Sequence, residues 1–165
     1  MPDFSGVTRL IDEAVAARAF PAATIEVGTH ARSLWQHAAG RLTYDDDAAA
    51  TTPETLFDLA SLTKVIATTS LVMRLVERRR LLLDVPVRQL VPAWTAADRA
   101  TVTVLDLLEH SAGLTAWWPL YKHGQSLAEF AHLIAELPLE YVPRTRSVYS
   151  DLGFILLGGI VAERG

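Results

Sequence analysis

Leu59-Ala60-Ser61-Leu62-Thr63-Lys64-Val65-Ile66-Ala67 is an apolar stretch that reads as a buried helix, and it carries one of the chain's two lysines, Lys64 and Lys122. Every other strong base is arginine. Burying a lysine sacrifices several kcal/mol of hydration, and arginine is the usual choice for a static ion pair because its guanidinium holds its proton. A lysine in apolar surroundings is different, since burial drives its pKa down. Ser61 and Lys64 are three residues apart, so on a helix they share a face. That sets a hydroxyl nucleophile beside an amine base. Taken alone, Ser-x-x-Lys is a weak signal and reads first as a serine at a helix start and a lysine whose stem lies on apolar surface while its head reaches water.

The chain of 165 residues is long enough for one domain with a core, and at 50% hydrophobic it is globular. A net charge of −4 with no basic stripe argues against a nucleic-acid partner. No cysteine is present, which removes disulfides, a cysteine nucleophile and thiolate metal sites. The five histidines, His30, His37, His110, His123 and His132, show no zinc-ligand spacing, and no metal or cofactor is expected. No Gly-x-Ser-x-Gly elbow, phosphate loop or dinucleotide fingerprint occurs. The start, Met1-Pro2-Asp3-Phe4-Ser5-Gly6, lacks a basic segment followed by an apolar run, so no signal peptide is read and the compartment is taken as cytoplasmic or left open. The longest apolar run, Leu152 to Ala162, is too short to cross a bilayer.

Val7, Leu10, Ile11, Ala14 and Val15 follow a helical rhythm, with Ser5 as the cap and Pro21 as the stop. Residues 23–27 and 33–38 read as strands of a hairpin. Gly40 to Pro53 reads as a surface loop. Residues 61–80 are apolar nearly all round, which predicts a central helix, with Arg78-Arg79-Arg80 at the end where cations suit the dipole. Asp84 before Val85-Pro86 resembles a capped helix start. Thr103-Val104-Leu105-Asp106 and Ser126-Leu127-Ala128-Glu129 resemble capping boxes, with Gly113 and Pro138 as the respective stops. The last helix is read over Leu152 to Ala162. The expected class is α+β, with a small sheet in front and a helical cluster behind.

Three stretches, in order, resemble the serine β-lactamase and penicillin-binding-protein superfamily, and most of all its class C β-lactamase-like branch. Phe57-Asp58-Leu59-Ala60-Ser61-Leu62-Thr63-Lys64 looks like its active-site motif. Leu107-Leu108-Glu109-His110-Ser111-Ala112-Gly113-Leu114 is similar to its Leu-Leu-x-His-Thr-Ser-Gly-Leu segment. Tyr149-Ser150-Asp151-Leu152-Gly153-Phe154 is similar to its Tyr-Ser-Asn segment. The resemblance implies a β-lactamase/transpeptidase-like fold, present here as an incomplete N-terminal part of a single domain over residues 1–165. The hairpin and helical region would be there, and the later strands would follow the Tyr-Ser-Asp helix in a longer chain. It also implies roles. Ser61 would form an acyl-enzyme, and its backbone N–H would be one of two oxyanion donors. Lys64 would take part in proton transfer, and Tyr149 would relay the proton to the leaving group. Whether Lys64 or Tyr149 is the base stays open, because the two would titrate together.

The chain departs from that pattern in three places. Asp151 stands where the motif has asparagine. An ionised aspartate only accepts hydrogen bonds, so it would pair with Lys64 and hold it protonated, favouring Tyr149 as base and an esterase-like specificity; a plain helix cap is the competing reading. The late Lys-Thr-Gly or His-x-Gly strand is missing, since Lys122-His123-Gly124 lies before Tyr149 and reads as a turn. Pro143-Arg144 replaces a common Pro-Gly, so a left-handed residue there would be strained. His110 reads as structural. Trp117 and Trp118 are candidate substrate contacts or ordinary loop packing.

The function expected of the intact protein is a serine hydrolase acting on a small ester, β-lactam or D-amino-acid peptide, by hydrolysis or acyl transfer. The alternative is a binding or regulatory protein that keeps the scaffold without turnover. The substrate class is a small molecule or peptide, and the oligomeric state is left open. The 165-residue chain by itself is expected to be inactive and prone to aggregate through open strand edges.

Overall fold

The computed structural model describes residues 2–165, which divide into two compact units, one ending at Asp58 and one running from Leu59 to Gly165.

The first unit holds helix α1, Ser5–Ala16, and a two-stranded antiparallel sheet of β1, Ala22–Gly28, and β2, Ser33–Gly40. Ser5 is not the cap. It is the first helical residue, and its N–H donates to Asp3 Oδ1 at 2.9 Å, so the shorter, anionic side chain two residues earlier takes that orphan donor. The hairpin pairs Ala22 with Gly40 and Val27 with Trp35, and a register shift follows at Gly28. Thr29 closes the turn, its Oγ1 accepting from the N–H groups of Ala31 and Arg32. α1 lies against β2: Phe4 stacks on Trp35 at 5.1 Å, and Asp12 Oδ1 is 2.8 Å from His37 Nε2.

The second unit is helical. Winding starts one residue after Ser61, widens into a π-helical segment, Lys64–Thr69, and tightens into α2, Ser70–Glu77. Arg79, in the left-handed region at φ +56, ends it, and the N–H groups of Arg79 and Arg80 reach back to the carbonyls of Val76 and Leu75. The expected central helix is buried on one face only. Val72 and Leu75 are in the core, whereas Leu62, Val65, Ile66, Leu71 and Met73 are exposed, because the elements packed on it within these residues cover a single side. Asp84 starts no α-helix. Pro86 instead leads a single 3₁₀ turn, Val87–Gln89, held to the Thr103 region by Val87 N–H to Val102 O at 2.8 Å.

Helix α3, Val104–Leu108, has the expected capping box: Thr103 Oγ1 accepts from Asp106 N–H, and Asp106 Oδ2 accepts from Thr103 N–H. It stops before Gly113. His110 takes the left-handed position after the helix at φ +58, and its N–H and that of Ser111 satisfy the carbonyls of Leu107 and Asp106. Helix α4, Leu127–Glu136, is capped by Ser126. Arg99, 3% exposed, donates to the carbonyls of Ala135 and Leu137 at the C-terminal end of α4 and lies over Trp94. Helix α5, Asp151–Arg164, packs on α2, α3 and α4. Its Leu152, Leu156, Leu157 and Ile160 meet Trp94, Val102, Val104, Leu107, Leu114 and Ile134 in one core. Among the described residues, no helix is long and apolar enough to cross a membrane.

Candidate active site

Two segments of the second unit deliver the candidate residues. The first is the turn that opens the helix. Ala60 sits in the left-handed region at φ +44, and the N–H groups of Leu62, Thr63 and Lys64 bond to the carbonyls of Leu59, Ala60 and Ser61. That winding puts Lys64 one tight turn beyond Ser61. A strained alanine and a π-helical segment on either side of one serine are features that concentrate at functional sites.

The second segment is residues 148–151, tied along its length to residues 110–116. Val148 N–H donates to His110 O at 2.9 Å, and Ser150 N–H to His110 Nδ1 at 3.0 Å. Ser150 Oγ donates to Thr115 O at 2.7 Å while accepting from Gly153 N–H, and Asp151 N–H donates to Ala116 O at 2.9 Å. Ser150 is therefore the cap of α5, and Asp151 is its first residue. The cap reading of Asp151 is thereby corrected, and its carboxylate is left for another partner.

That partner is Lys64. Its Nζ donates to Asp151 Oδ1 at 2.6 Å and to Ser61 Oγ at 3.3 Å. Tyr149 is near enough to Ser61 and Lys64 for both to act on the charge of its phenol. Nζ lies 4.9 Å from the centre of the Tyr149 ring and 5.9 Å from that of Phe154. Ser61, Lys64, Tyr149 and Asp151 thus form one connected cluster. Ser61 is exposed and the Tyr149 ring is 52% exposed, so the hydroxyls are open to a substrate, while the Lys64 side chain is only 15% exposed.

The electrostatics overturn one expectation. Burial alone pushes Lys64 down and is the largest single effect, but Asp151 and Tyr149 together outweigh it, and the Lys64 pKa rises above its ordinary value. The expected lowering fails because the ammonium has an anion at 2.6 Å. Tyr149 moves the other way. Ser61 and then Lys64 stabilise its phenolate and pull its pKa below the usual tyrosine value. The two shifts run in opposite directions: the contacts favour the ammonium form of Lys64 and make the Tyr149 phenol more acidic.

Trp117 and Trp118 follow Ala116, whose carbonyl holds Asp151. The Trp118 ring stacks on His123 at 4.5 Å, and Trp117 is 58% exposed. The described contacts join neither ring to Ser61, Lys64 or Tyr149. Lys122-His123-Gly124 forms a turn, as expected. Arg144 is strained, as expected, at φ +67. Its guanidinium bonds both carboxylate oxygens of buried Asp106 at 2.8 and 2.7 Å and the carbonyl of Thr101 at 2.8 Å. Sequence reasoning missed that anchor and also missed His110, whose ring lies against Tyr149 at 4.6 Å. The signal for His110 was its place inside the second matching stretch; nothing in the spacing marked Asp106 as the partner of Arg144. Among the described residues, no group of three or more His, Asp or Glu is placed to hold a metal ion.

The family model described as Beta-lactamase matches residues 7–164. A protein of Escherichia coli strain K12, provisionally named a D-alanyl-D-alanine carboxypeptidase, is 33% identical over 124 residues, 67% of this chain and 28% of that protein. The N-acetylmuramyl-L-alanine amidase of Bacillus subtilis strain 168 is 29% identical over 95% of this chain and 40% of its own length. Among solved structures, a class C beta-lactamase superposes with a TM-score of 0.83 at 22% identity, over 98% of this chain and 44% of that one. The chain spans less than half the length of each of these proteins, and its helices and two-stranded hairpin are the corresponding part of a β-lactamase/transpeptidase-like fold. The chain belongs to the beta-lactamase family.

Proposed function

We propose that the protein carrying this chain is a serine hydrolase that acts on an ester or amide through an acyl-Ser61 intermediate, with Tyr149 as the base and Lys64 as a fixed cation. The observation that carries this reading is one cluster: Lys64 Nζ reaches Ser61 Oγ at 3.3 Å and lies 4.9 Å from the centre of the Tyr149 ring, while Asp151 anchors the Lys64 ammonium at 2.6 Å. A lysine held as an ammonium has no lone pair to offer. The phenolate it stabilises does. Ser61 Oγ would attack the substrate carbonyl carbon as its proton passes to the Tyr149 oxygen. The tetrahedral oxyanion would collapse with cleavage of the C–O or C–N bond, and the Tyr149 proton would go to the departing alcohol or amine. Water would then attack the acyl carbon, give its proton to Tyr149, and release the acid as Ser61 recovers its hydrogen.

The names of the two relatives, a carboxypeptidase and an amidase, bring peptide and amide bonds into the substrate class beside esters. Asp151 argues against a substrate whose amide oxygen needs a donor at that position, because a carboxylate only accepts. A labelled fluorophosphonate or penicillin tests the reading. The full-length product of the reading frame should gain one label by intact mass, and Ser61→Ala should gain none. Equal labelling of both, or of neither, would leave the scaffold with a binding role instead.

A further inference from the structure

We propose that His110 is a positioning residue for Tyr149: it clamps the backbone on both sides of the phenol and backs the ring, and it does so only while its Nδ1 is unprotonated. This rests on the reading of Tyr149 as the base.

Four contacts converge on His110. Its carbonyl accepts from Val148 N–H at 2.9 Å, one residue before Tyr149. Its Nδ1 accepts from Ser150 N–H at 3.0 Å, one residue after. Its ring meets the Tyr149 ring at 4.6 Å and the Phe154 ring at 5.0 Å. The Tyr141 hydroxyl donates to the same carbonyl at 2.9 Å and steadies the turn. A backbone N–H can only donate, so Nδ1 must present its lone pair, and the neutral ring carries its proton on Nε2. The phenol is thus held at three points by one residue.

The backbone of His110 strengthens the case. It occupies the left-handed position that ends α3, at φ +58, where glycine is the unstrained residue. Histidine at such a position brings backbone strain that its side chain must offset, and strain of this kind collects where geometry matters. Acid would undo the clamp. A proton on Nδ1 turns the acceptor into a donor facing the Ser150 N–H. The titratable groups facing the ring are the Lys64 ammonium, the Asp151 carboxylate and the Tyr149 hydroxyl. Burial first, and then Lys64, disfavour the protonated ring and keep His110 neutral to a lower pH than a free imidazole.

Three variants of the full-length product separate positioning from folding. His110→Gly frees the backbone and removes the clamp. His110→Asn tolerates the left-handed backbone and returns one acceptor oxygen. His110→Phe keeps a ring and loses the acceptor. Fluorophosphonate acylation at neutral pH should fall about 100-fold in His110→Gly while the melting temperature stays within a few degrees of wild type. His110→Asn should recover about tenfold of that loss, and the acid limb of the wild-type profile should be missing from His110→Phe. Acylation of His110→Gly within threefold of wild type and with an unchanged pH profile would overturn the proposal. So would losses that simply track melting temperature. ¹⁵N resonances of the histidine ring give a readout independent of turnover: an unprotonated Nδ1 at neutral pH is required, and a protonated one refutes the clamp. A wild type that is never acylated, yet shows that Nδ1 state and a shifted Tyr149 titration in His110→Gly, would sink the hydrolase reading and leave the clamp standing.

Discussion

Removing the Asp106 carboxylate should cost about 4 kcal/mol of stability. The side chain is 4% exposed and holds five donors: Thr103 N–H and Oγ1, Arg144 Nε and Nη2, and, more loosely, Ser111 Oγ at 3.3 Å. Breaking a buried ion pair from one side typically costs about 3–5 kcal/mol. The Arg144 side chain is 53% exposed and regains water, which pulls its share to the low end, while loss of the reciprocal cap on α3 adds about 1 kcal/mol. For a protein of about 150–250 residues, each kcal/mol moves the melting temperature by about 2–4 °C, and by less in a longer chain, so Asp106→Ala in the full-length product should melt several degrees lower by calorimetry. The pH dependence follows from the same contacts. Burial pushes the Asp106 pKa up, but Arg144 and Thr103 pull harder, and the folded-state pKa ends below the ordinary carboxylate value. Its contribution is therefore complete above about pH 4, where an unfolded aspartate is ionised, and is lost as pH falls through the depressed folded value. Wild type should lose stability more steeply than Asp106→Ala in that acid window. A variant that melts within 2 °C of wild type, or that keeps the wild-type acid slope, would refute the account of this anchor.

Arg144→Gly should be more stable than Arg144→Ala by about 1 kcal/mol, since both lose the ion pair and only alanine must hold φ +67; urea titration of the two variants checks it. Gly113→Ala should cost about 3 kcal/mol, because a Cβ there would lie 2.6 Å from the Tyr141 carbonyl oxygen at a backbone φ of +89; a melting-temperature loss below 3 °C would contradict it. The isolated 165-residue chain should self-associate through the exposed Leu62, Val65, Ile66 and Met73 face, and sedimentation showing a monomer at micromolar concentration would count against that.

The local chemistry of the site was largely legible. The Ser61–Lys64 spacing and the Thr103–Asp106 box follow from rules that act over a few residues, whereas the pairing of Asp151 with Lys64 and the strain at Arg144 came from the family resemblance and the residues that depart from it. Most of what escaped depended on partners distant in sequence that the resemblance did not supply. The direction of the Lys64 shift needed the Asp151 distance, because burial and ion pairing oppose each other and only geometry decides between them. Ser5 lies inside α1, its own N–H taken by Asp3, and Asp151 lost the cap to its neighbour Ser150. His110 read as a bland helix end because nothing in its neighbours foretells Val148 and Ser150 arriving on either side of it. The exposed face of the helix from Leu62 onward departs from its all-round apolar pattern for the same reason: burial belongs to whatever packs on it.

The ionisation of Lys64 tests the central claim most directly. In the full-length product, the ¹³Cε and ¹⁵Nζ resonances of Lys64 should report an ammonium that persists above the ordinary lysine titration, and Asp151→Asn should move that titration to lower pH. A Lys64 that is already neutral near pH 7, or one whose titration ignores Asp151→Asn, would contradict the assignment of Lys64 as a fixed cation and Tyr149 as the base.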